Sequence, residues 1–244
     1  MSAIPARRFL RRHLPFASQL GALLHLLRTV PLRLRGTEQR FNAIYRRNAW
    51  RGTESLSGPG SSLEATAALR QELPGLLARL DCRTLLDAPC GDFRWMSAMA
   101  LPIESYLGVD IVAAVIEANR RLYGDPRRTF LRLDLLRDPL PAADLVLCRD
   151  CLVHFSYRDA ASALRAFRRA GAAFLLTTTF PERRANRDIV TGEWRPLNLQ
   201  IAPFNFPPPL ALVTEDYTGD EGQYRDKSLA LWRLGEFGLE SWAR

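Results

Sequence analysis

One stretch of eleven residues, from Thr84 to Arg94, limits the folds open to this chain of 244 residues. It begins with the apolar pair Leu85-Leu86, which is too short for a helix and suits a buried parallel strand. Asp87 ends this run, the turn Pro89-Cys90-Gly91 follows, and the chain then becomes helical. Gly91 can adopt backbone angles closed to other residues and lets a ligand approach the main chain. Strand, tight turn and helix in this order are typical of the start of a nucleotide-binding α/β sheet.

Two further acidic residues extend this pattern. The segments Tyr106–Asp110 and Phe130–Asp134 read as short strands, and each ends in a carboxylate. Asp110 lies about 20 residues after the glycine turn, where a doubly wound sheet binds ribose hydroxyls. The three acids therefore indicate one ligand that lies across the carboxyl edge of the sheet. The alternative interpretation is ordinary solvation of strand ends.

The segment Asp87–Phe93, with Cys148–His154 further on, resembles the class I S-adenosylmethionine-dependent methyltransferases over residues 62–236. Within that family it is most similar to a bacterial branch with an Asp-Ala-Pro-Cys-Gly-Asp-Phe first motif. The resemblance implies S-adenosylmethionine as the cofactor. It also implies a Rossmann-like, doubly wound α/β sheet of seven strands, mostly parallel, with an antiparallel hairpin at its C-terminal end. Together with the spacing of the acids it places cofactor contacts at Asp87, Cys90, Gly91, Phe93, Asp110, Ile111, Asp134, Leu135 and Arg149.

The rest of the chain supports this fold. Short apolar runs alternate with amphipathic helices between residues 84 and 177, which indicates a parallel sheet with right-handed crossovers. The strands expected at 210–214 and 228–232 have no helix between them and should form a hairpin.

The start of the domain is marked by a capping signal. Ser61 and Glu64 have the spacing of a capping box, so a helix is predicted from Ser62 to Glu72. Pro74 is expected to begin a second short helix that ends near Leu80. The methyltransferase domain is accordingly assigned to residues 62–244.

The charge is concentrated in the N-terminal part. The net charge is +8, but residues 1–60 contain eleven arginines and two glutamates, which leaves the remainder near neutral. A near-neutral domain predicts no nucleic-acid partner. Residues 1–40 read as a basic leader, and two accounts of residues 1–36 stay open: an amphipathic helix on an anionic membrane surface, or a segment that is packed or disordered.

Four cysteines in a chain of this length do not form a disulfide scaffold. Cys148 and Cys151 have the spacing of metal ligands, but no second pair arrives at a suitable spacing, so no metal site is predicted. Reduced thiols favour a cytoplasmic location, with membrane association through the leader as an open possibility.

Two irregular segments are candidates for covering the ligand. Residues 41–61 contain aromatics followed by a Ser/Gly-rich loop, which reads either as a flexible linker or, as we favour, as a lid. Residues 181–209 are rich in proline and asparagine and form a long loop after the fifth strand. Aromatic faces and amides suit a polar neutral acceptor, so substrate contacts are predicted at Trp50, Asn186, Trp194 and Asn198.

The base is expected after the fourth strand. Methyl transfer to a hydroxyl requires loss of a proton, and His154 or Asp150 could accept it. The predicted function is transfer of a methyl group to a small-molecule or carbohydrate-type acceptor at oxygen. The alternative is a cofactor-binding module without catalysis.

Overall fold

The computed structural model describes residues 30, 32, 34–236 and 238. The chain divides into two units, Met1–Gly36 and Thr37–Arg244, and the sheet belongs to the second. Most of the predicted basic leader, including the stretch considered for a membrane surface, lies outside the described residues. Where the structure does describe the chain, no helix has the length and apolarity required to cross a membrane.

Seven strands form one sheet, as predicted. They are β1 (Thr84–Asp87), β2 (Ser105–Asp110), β3 (Arg128–Arg132), β4 (Leu145–Cys148), β5 (Phe174–Thr179), β6 (Ala211–Thr214) and β7 (Ser228–Arg233). Their order is β3-β2-β1-β4-β5-β7-β6. The first five strands are parallel, whereas β7 is antiparallel to both β5 and β6. This is the doubly wound sheet with a C-terminal antiparallel hairpin.

Five α-helices accompany the strands between residues 37 and 236. They are α1 (Thr37–Arg46), α2 (Ala67–Arg79), α3 (Arg94–Ser97), α4 (Ala113–Tyr123) and α5 (Tyr157–Arg169). Short 3-10 turns occur at Pro59–Ser61 and Leu152–His154.

The two helices predicted between Ser62 and Leu80 are in fact one. Helix α2 runs through Pro74 without a break because Leu69, Leu73, Leu76 and Leu77 are all buried. Their contact with the core offsets the one backbone hydrogen bond that a proline removes.

The predicted capping box is also wrong. Ser62, and not Ser61, accepts the hydrogen bond from the Ala65 N–H at 3.1 Å. It caps a turn that precedes α2, and the helix itself begins only at Ala67. Ser61 instead lies buried in the preceding 3-10 turn.

The core lies on both faces of the sheet. Within β1, Leu85 packs into one apolar cluster and Leu86 into the other, because successive side chains of a strand point to opposite faces. Strand β4 is buried along its whole length, as expected for a central parallel strand. The polar ends of these strands therefore open at one edge, where the next elements leave the sheet.

Candidate active site

A cleft lies at the carboxyl edge of the sheet, where β1 to β4 end. It encloses about 1040 Å³ of empty space, part of which is open solvent. Ligands bind at this edge in open α/β sheets. The cleft brings together most of the residues that the sequence pointed to: Trp50, Asp87, Cys90, Gly91, Asp110, Ile111, Asp134, Leu135, Arg149, Asp150 and His154.

The turn after β1 is in close contact with Ser57 of the Ser/Gly-rich loop and with Asn119 of α4. Gly91 has φ +54°, and a Cβ atom on it would lie 2.4 Å from the hydroxyl oxygen of Ser57. The Asn119 side-chain amide, from the buried face of α4, donates to the Gly91 carbonyl at 2.8 Å. Sequence reasoning missed Asn119, although an amide on the apolar face of an amphipathic helix was a usable signal.

Asp110 ends β2 beside this turn. Its carboxylate accepts hydrogen bonds from the backbone N–H groups of Val112 (2.9 Å) and Gly91 (3.3 Å). A carboxylate has about four lone-pair positions, so it can accept further hydrogen bonds from a ligand. Burial raises the pKa of Asp110 to about 6, against the lowering effect of those N–H donors.

Asp87 is the most deeply placed carboxylate of the cleft, with 3% of its surface exposed. Burial raises its pKa to about 7, although the Tyr106 hydroxyl donates to it at 2.6 Å. Tyr106 comes from the neighbouring strand β2, so only the parallel pairing of the two strands reveals this contact.

The Ser/Gly-rich loop predicted as a lid is attached to the turn after β1. Ser55 donates to the Asp92 carboxylate at 2.7 Å, and the Ser57 hydroxyl accepts from the Asp92 N–H at 3.1 Å. Further along, the Gly60 carbonyl accepts from the Arg149 guanidinium at 2.7 Å. The loop therefore lies over the ends of β1 and β4.

Helix α1 crosses the same edge. Glu38 forms an ion pair with Arg132 at the end of β3. Arg40 donates to the Thr191 carbonyl at 3.2 Å, in the long loop after β5. The helix thus reaches from the β3 side of the cleft to the β4 side.

Aromatic rings line the cleft near the end of β4. The ring centroid of Trp50 lies 5.2 Å from that of His154 and 6.5 Å from that of Phe41. Phe41 in turn lies 6.0 Å from Phe155. We call Phe41, Trp50, His154 and Phe155 the aromatic wall.

A group of four charges lies at the end of β4: Arg149 and Asp150 line the cleft, and Glu215 and Lys227 are buried behind them. Arg149 pairs with both carboxylate oxygens of Glu215, at 2.5 and 3.2 Å. Lys227 Nζ lies 2.7 Å from Asp150 Oδ2 and 3.0 Å from Glu215 Oε2. We call these four residues the charge quartet. Its two cations and two anions pair with one another, and only Asp150 is partly exposed.

The charge quartet determines the state of Asp150. Burial favours protonation of this carboxyl group, but Lys227 and Arg149 outweigh burial and lower its pKa to about 2. A carboxylate so strongly paired is a poor base near neutral pH. Sequence reasoning missed Glu215 and Lys227, although Lys227 is the only lysine of the chain.

His154 lies in the 3-10 turn after β4. Its Nδ1 is 2.9 Å from the Glu193 carbonyl oxygen. A carbonyl can only accept a hydrogen bond, so Nδ1 carries the proton and Nε2 keeps its lone pair. Burial lowers the pKa of His154, so the ring is neutral at neutral pH. Of the two predicted bases, His154 therefore has the better protonation state.

Four of the predicted site residues do not line the cleft. The Phe93 side chain packs instead against Tyr106, Tyr123 and Phe130 in an apolar cluster. Trp194 packs against Phe180 and Tyr224.

The two asparagines of the long loop are used internally. The Asn186 amide donates to the carbonyls of Asn198 and Ala202, both at 2.8 Å. The Asn198 amide donates to the carbonyls of Pro181 and Arg183. These amides hold the irregular backbone of the loop in place, which explains their position away from the cleft.

No group of three or more His, Cys, Asp or Glu side chains is arranged to hold a metal ion in the described part of the chain. The four cysteines are buried and none is in a disulfide. Burial raises the pKa of the Cys90 and Cys151 thiols, which keeps both in the neutral form.

Residues 86–172 match the model of a family described as a methyltransferase domain. This stretch includes the turn after β1, the ends of β2, β3 and β4, and His154. This matched stretch, about a third of the chain, is therefore similar to a methyltransferase domain, and it lies within the Rossmann-like seven-stranded sheet. No curated protein matches the chain.

Several solved structures are similar in fold. The methyltransferase domain of bacterial CtHen1 is 16% identical, with 47% of this chain and 66% of that chain covered and a TM-score of 0.42. The YcgJ protein from Bacillus subtilis is 22% identical, with 46% and 52% covered and a TM-score of 0.38. Magnesium protoporphyrin IX methyltransferase (ChlM) from Synechocystis PCC 6803 with bound SAM is 16% identical, with 63% and 81% covered and a TM-score of 0.43. The chain thus spans two thirds or less of the first two structures.

Proposed function

We propose that the protein transfers a methyl group from S-adenosylmethionine to a hydroxyl of a small, neutral, polar acceptor. The observation that carries this proposal is that one cleft contains both Gly91, hydrogen-bonded to Asp110, and a neutral His154 whose Nε2 keeps its lone pair. Gly91 and Asp110 suit the binding of the cofactor. His154 suits the acceptance of a proton.

The residues of the cleft fit the cofactor. Gly91 lines the cleft and has no side chain, which leaves its main chain accessible to a ligand. Asp110 and Asp134 would accept hydrogen bonds from ribose hydroxyls, and Asp87 would add acidic character near a cationic ligand; their place in the lining of one cleft supports these roles. S-adenosylmethionine, when bound, supplies a methyl group that is already activated by a positively charged sulfur.

His154 would act as the base. As the acceptor oxygen forms its bond to the methyl carbon, its proton passes to His154 Nε2, which becomes an imidazolium. Asp150 remains ionised and stabilises that positive charge without taking the proton. The aromatic wall and the lid exclude water from this end of the cleft.

The acceptor subsite is assigned to the aromatic wall. The flat faces of Trp50 and Phe41 suit the apolar face of a sugar ring or another planar polar molecule. Among the described residues that line the cleft, Arg149 is the one arginine or lysine, and it is bonded to Glu215, Asp150 and Gly60. Such a cleft favours a neutral acceptor over an anionic one. Trp50 is thus retained from the predicted acceptor residues, and Asn186, Trp194 and Asn198 are not.

Residues 41–61 would serve as the lid of the domain at 62–244, and α1 extends that lid to Thr37. The attachments at Asp92 and Arg149 support this role. Cytoplasmic location, absence of a nucleic-acid partner and the membrane contact of residues 1–36 remain predictions.

Two measurements test the proposal. Calorimetry should show that S-adenosylmethionine binds to the wild type and, with similar affinity, to His154→Gln. Transfer of labelled methyl to a panel of neutral saccharides and phenols should fall about 10²–10⁴-fold in that variant, the usual contribution of a general base. Binding of the cofactor without transfer to any member of the panel would instead support a binding module.

A further inference from the structure

We propose that Arg195 is a positioning residue for His154, and that the segment Gly192–Arg195 is the clamp that orients this histidine. The inference rests on the proposed role of His154 as the base. The clamp belongs to the long loop after β5, which the sequence pointed to as an acceptor site.

The clamp bonds to every carbonyl of the turn that carries His154. The Arg195 guanidinium donates through Nη1 to the Leu152 carbonyl (2.7 Å) and through Nη2 to the Phe155 carbonyl (2.9 Å). The Arg195 N–H donates to the Val153 carbonyl at 3.0 Å. The Gly192 N–H donates to the His154 carbonyl at 2.8 Å. One segment thus fixes the backbone on both sides of the histidine.

The same segment orients the imidazole ring. The Glu193 carbonyl, which accepts from His154 Nδ1, lies between the two anchored residues Gly192 and Arg195. Its position relative to the ring is therefore set at both ends. Because this carbonyl selects the Nδ1–H tautomer, the clamp also decides that Nε2 is the acceptor.

Packing alone does not explain why an arginine is buried at position 195. It has 0% of its surface exposed, and no ion pair found among the described residues includes it. Its remaining donor, Nε, also bonds to a carbonyl, that of Arg187, and the guanidinium lies over the Tyr157 ring. A charge in such a site is costly, whereas an apolar side chain of similar size would not be. The planar fork, which reaches two carbonyls at once, is the property that only arginine supplies.

Arg195 also contributes to the electrostatics around His154. The charged groups that act on the histidine are Asp150, Arg195 and Lys227. Asp150 favours the imidazolium, whereas Arg195 and Lys227 oppose it. Removal of the Arg195 charge should therefore raise the pKa of His154.

The tautomer of His154 can be measured in the resting protein. In the full-length wild type, the imidazole ¹⁵N spectrum, assigned with His154→Gln, should show the Nδ1–H tautomer alone at neutral pH. Arg195→Lys keeps the charge and loses the fork, so both tautomers should appear. Arg195→Met should show both tautomers and, in addition, an acidic limb of the pH–rate profile that moves to higher pH. Turnover should fall at least about 10-fold with unchanged cofactor affinity.

Thr179→Val is the matched control. Thr179 is buried and holds the same loop through Leu197 and Leu199, but it does not bond to the turn of His154. This variant should lose thermal stability and keep the single tautomer and the pH profile of the wild type.

The outcomes distinguish the clamp from the proposed role of His154 as the base. An Nε2–H tautomer in the wild type, or a single Nδ1–H tautomer with an unshifted profile in folded Arg195→Met, overturns the clamp. If the Arg195 variants lose the single Nδ1–H tautomer without any loss of turnover, the clamp is supported and His154 is not the base. If Arg195→Met does not fold, Arg195→Lys and the wild-type spectrum still decide.

Discussion

Asp110 shows how one residue can serve both the fold and a ligand. Its carboxylate accepts from the N–H groups of Gly91 and Val112, and so connects the turn after β1 to the start of α4. The same oxygen atoms are the proposed acceptors for ribose hydroxyls, which is possible because lone pairs remain.

We expect Asp110→Ala to weaken S-adenosylmethionine binding by about 1.5–3 kcal/mol, the range for hydrogen bonds to a charged group. Calorimetry measures this change directly. Glu117→Ala, which removes an exposed carboxylate from α4, should bind like the wild type. Unchanged affinity in folded Asp110→Ala would show that the ribose lies elsewhere.

The close approach of Gly91 and Ser57 gives a second prediction at this scale. Gly91→Ala should abolish detectable cofactor binding, because its Cβ would displace the Ser57 hydroxyl and its φ is positive. Adding Ser57→Gly removes the clash but not the backbone strain of about 1 kcal/mol, so binding should return in part. Titration of the single and double variants decides, and equal binding by Gly91→Ala and the wild type would contradict the contact.

At the scale of elements, the charge quartet connects parts of the chain that are far apart in sequence. Arg149 and Asp150 follow β4, Glu215 follows β6, and Lys227 precedes β7. Arg149 also holds the lid at Gly60. The hairpin of β6 and β7 is thereby attached to the edge where the cleft opens, so a substitution in the hairpin can change the environment of Asp150.

Lys227→Met should therefore lower the free energy of unfolding by about 3–5 kcal/mol, because it leaves the buried Glu215 and the partly exposed Asp150 with one cation. Lys227→Arg should also be destabilising, since a planar guanidinium cannot replace a compact ammonium between Asp150 and Glu215. Denaturant titration measures both. Arg233→Met breaks an exposed ion pair in the same strand and should cost no more than about 1 kcal/mol. If Lys227→Met costs as little, the quartet does not hold the hairpin.

For the whole molecule, the raised pKa values of Asp87 and Asp110 predict how stability depends on pH. In the folded protein the pKa of Asp87 is raised to about 7 and that of Asp110 to about 6, whereas an aspartate in an unfolded chain has a pKa of about 3.9. Between about pH 4 and 7 the unfolded chain releases these protons first, so the free energy of unfolding falls as pH rises. Below about pH 4 the lowered pKa of Asp150 acts in the opposite direction, and stability is lost as the pH falls.

In the double variant Asp87→Asn/Asp110→Asn, the free energy of unfolding should no longer fall as the pH rises from about 4 to 7, and the lowered pKa of His154 acts in the opposite direction. The slope of this free energy against pH is obtained from denaturant titrations of the cofactor-free protein at several pH values. Asp125→Asn should leave it unchanged, because the Arg128 guanidinium lowers the pKa of that exposed carboxyl and keeps it ionised in this range. A double variant with the wild-type slope would show that these two carboxyls are not the buried acids that titrate.

The sequence by itself determined the sheet, the turn at Gly91 and the strand-end acids, because these follow from local periodicity and from the backbone freedom of one glycine. Only the tertiary structure decided that Pro74 stays inside α2, since that depends on four buried leucines and not on the proline alone. The same holds for the partners of the site. Glu215 meets Arg149 across 66 positions and Arg195 meets Leu152 across 43. No local pattern records such pairs. The amides of Asn186 and Asn198 looked suited to an acceptor. They donate instead to backbone carbonyls of the irregular loop, because such carbonyls need hydrogen-bond partners when they are buried.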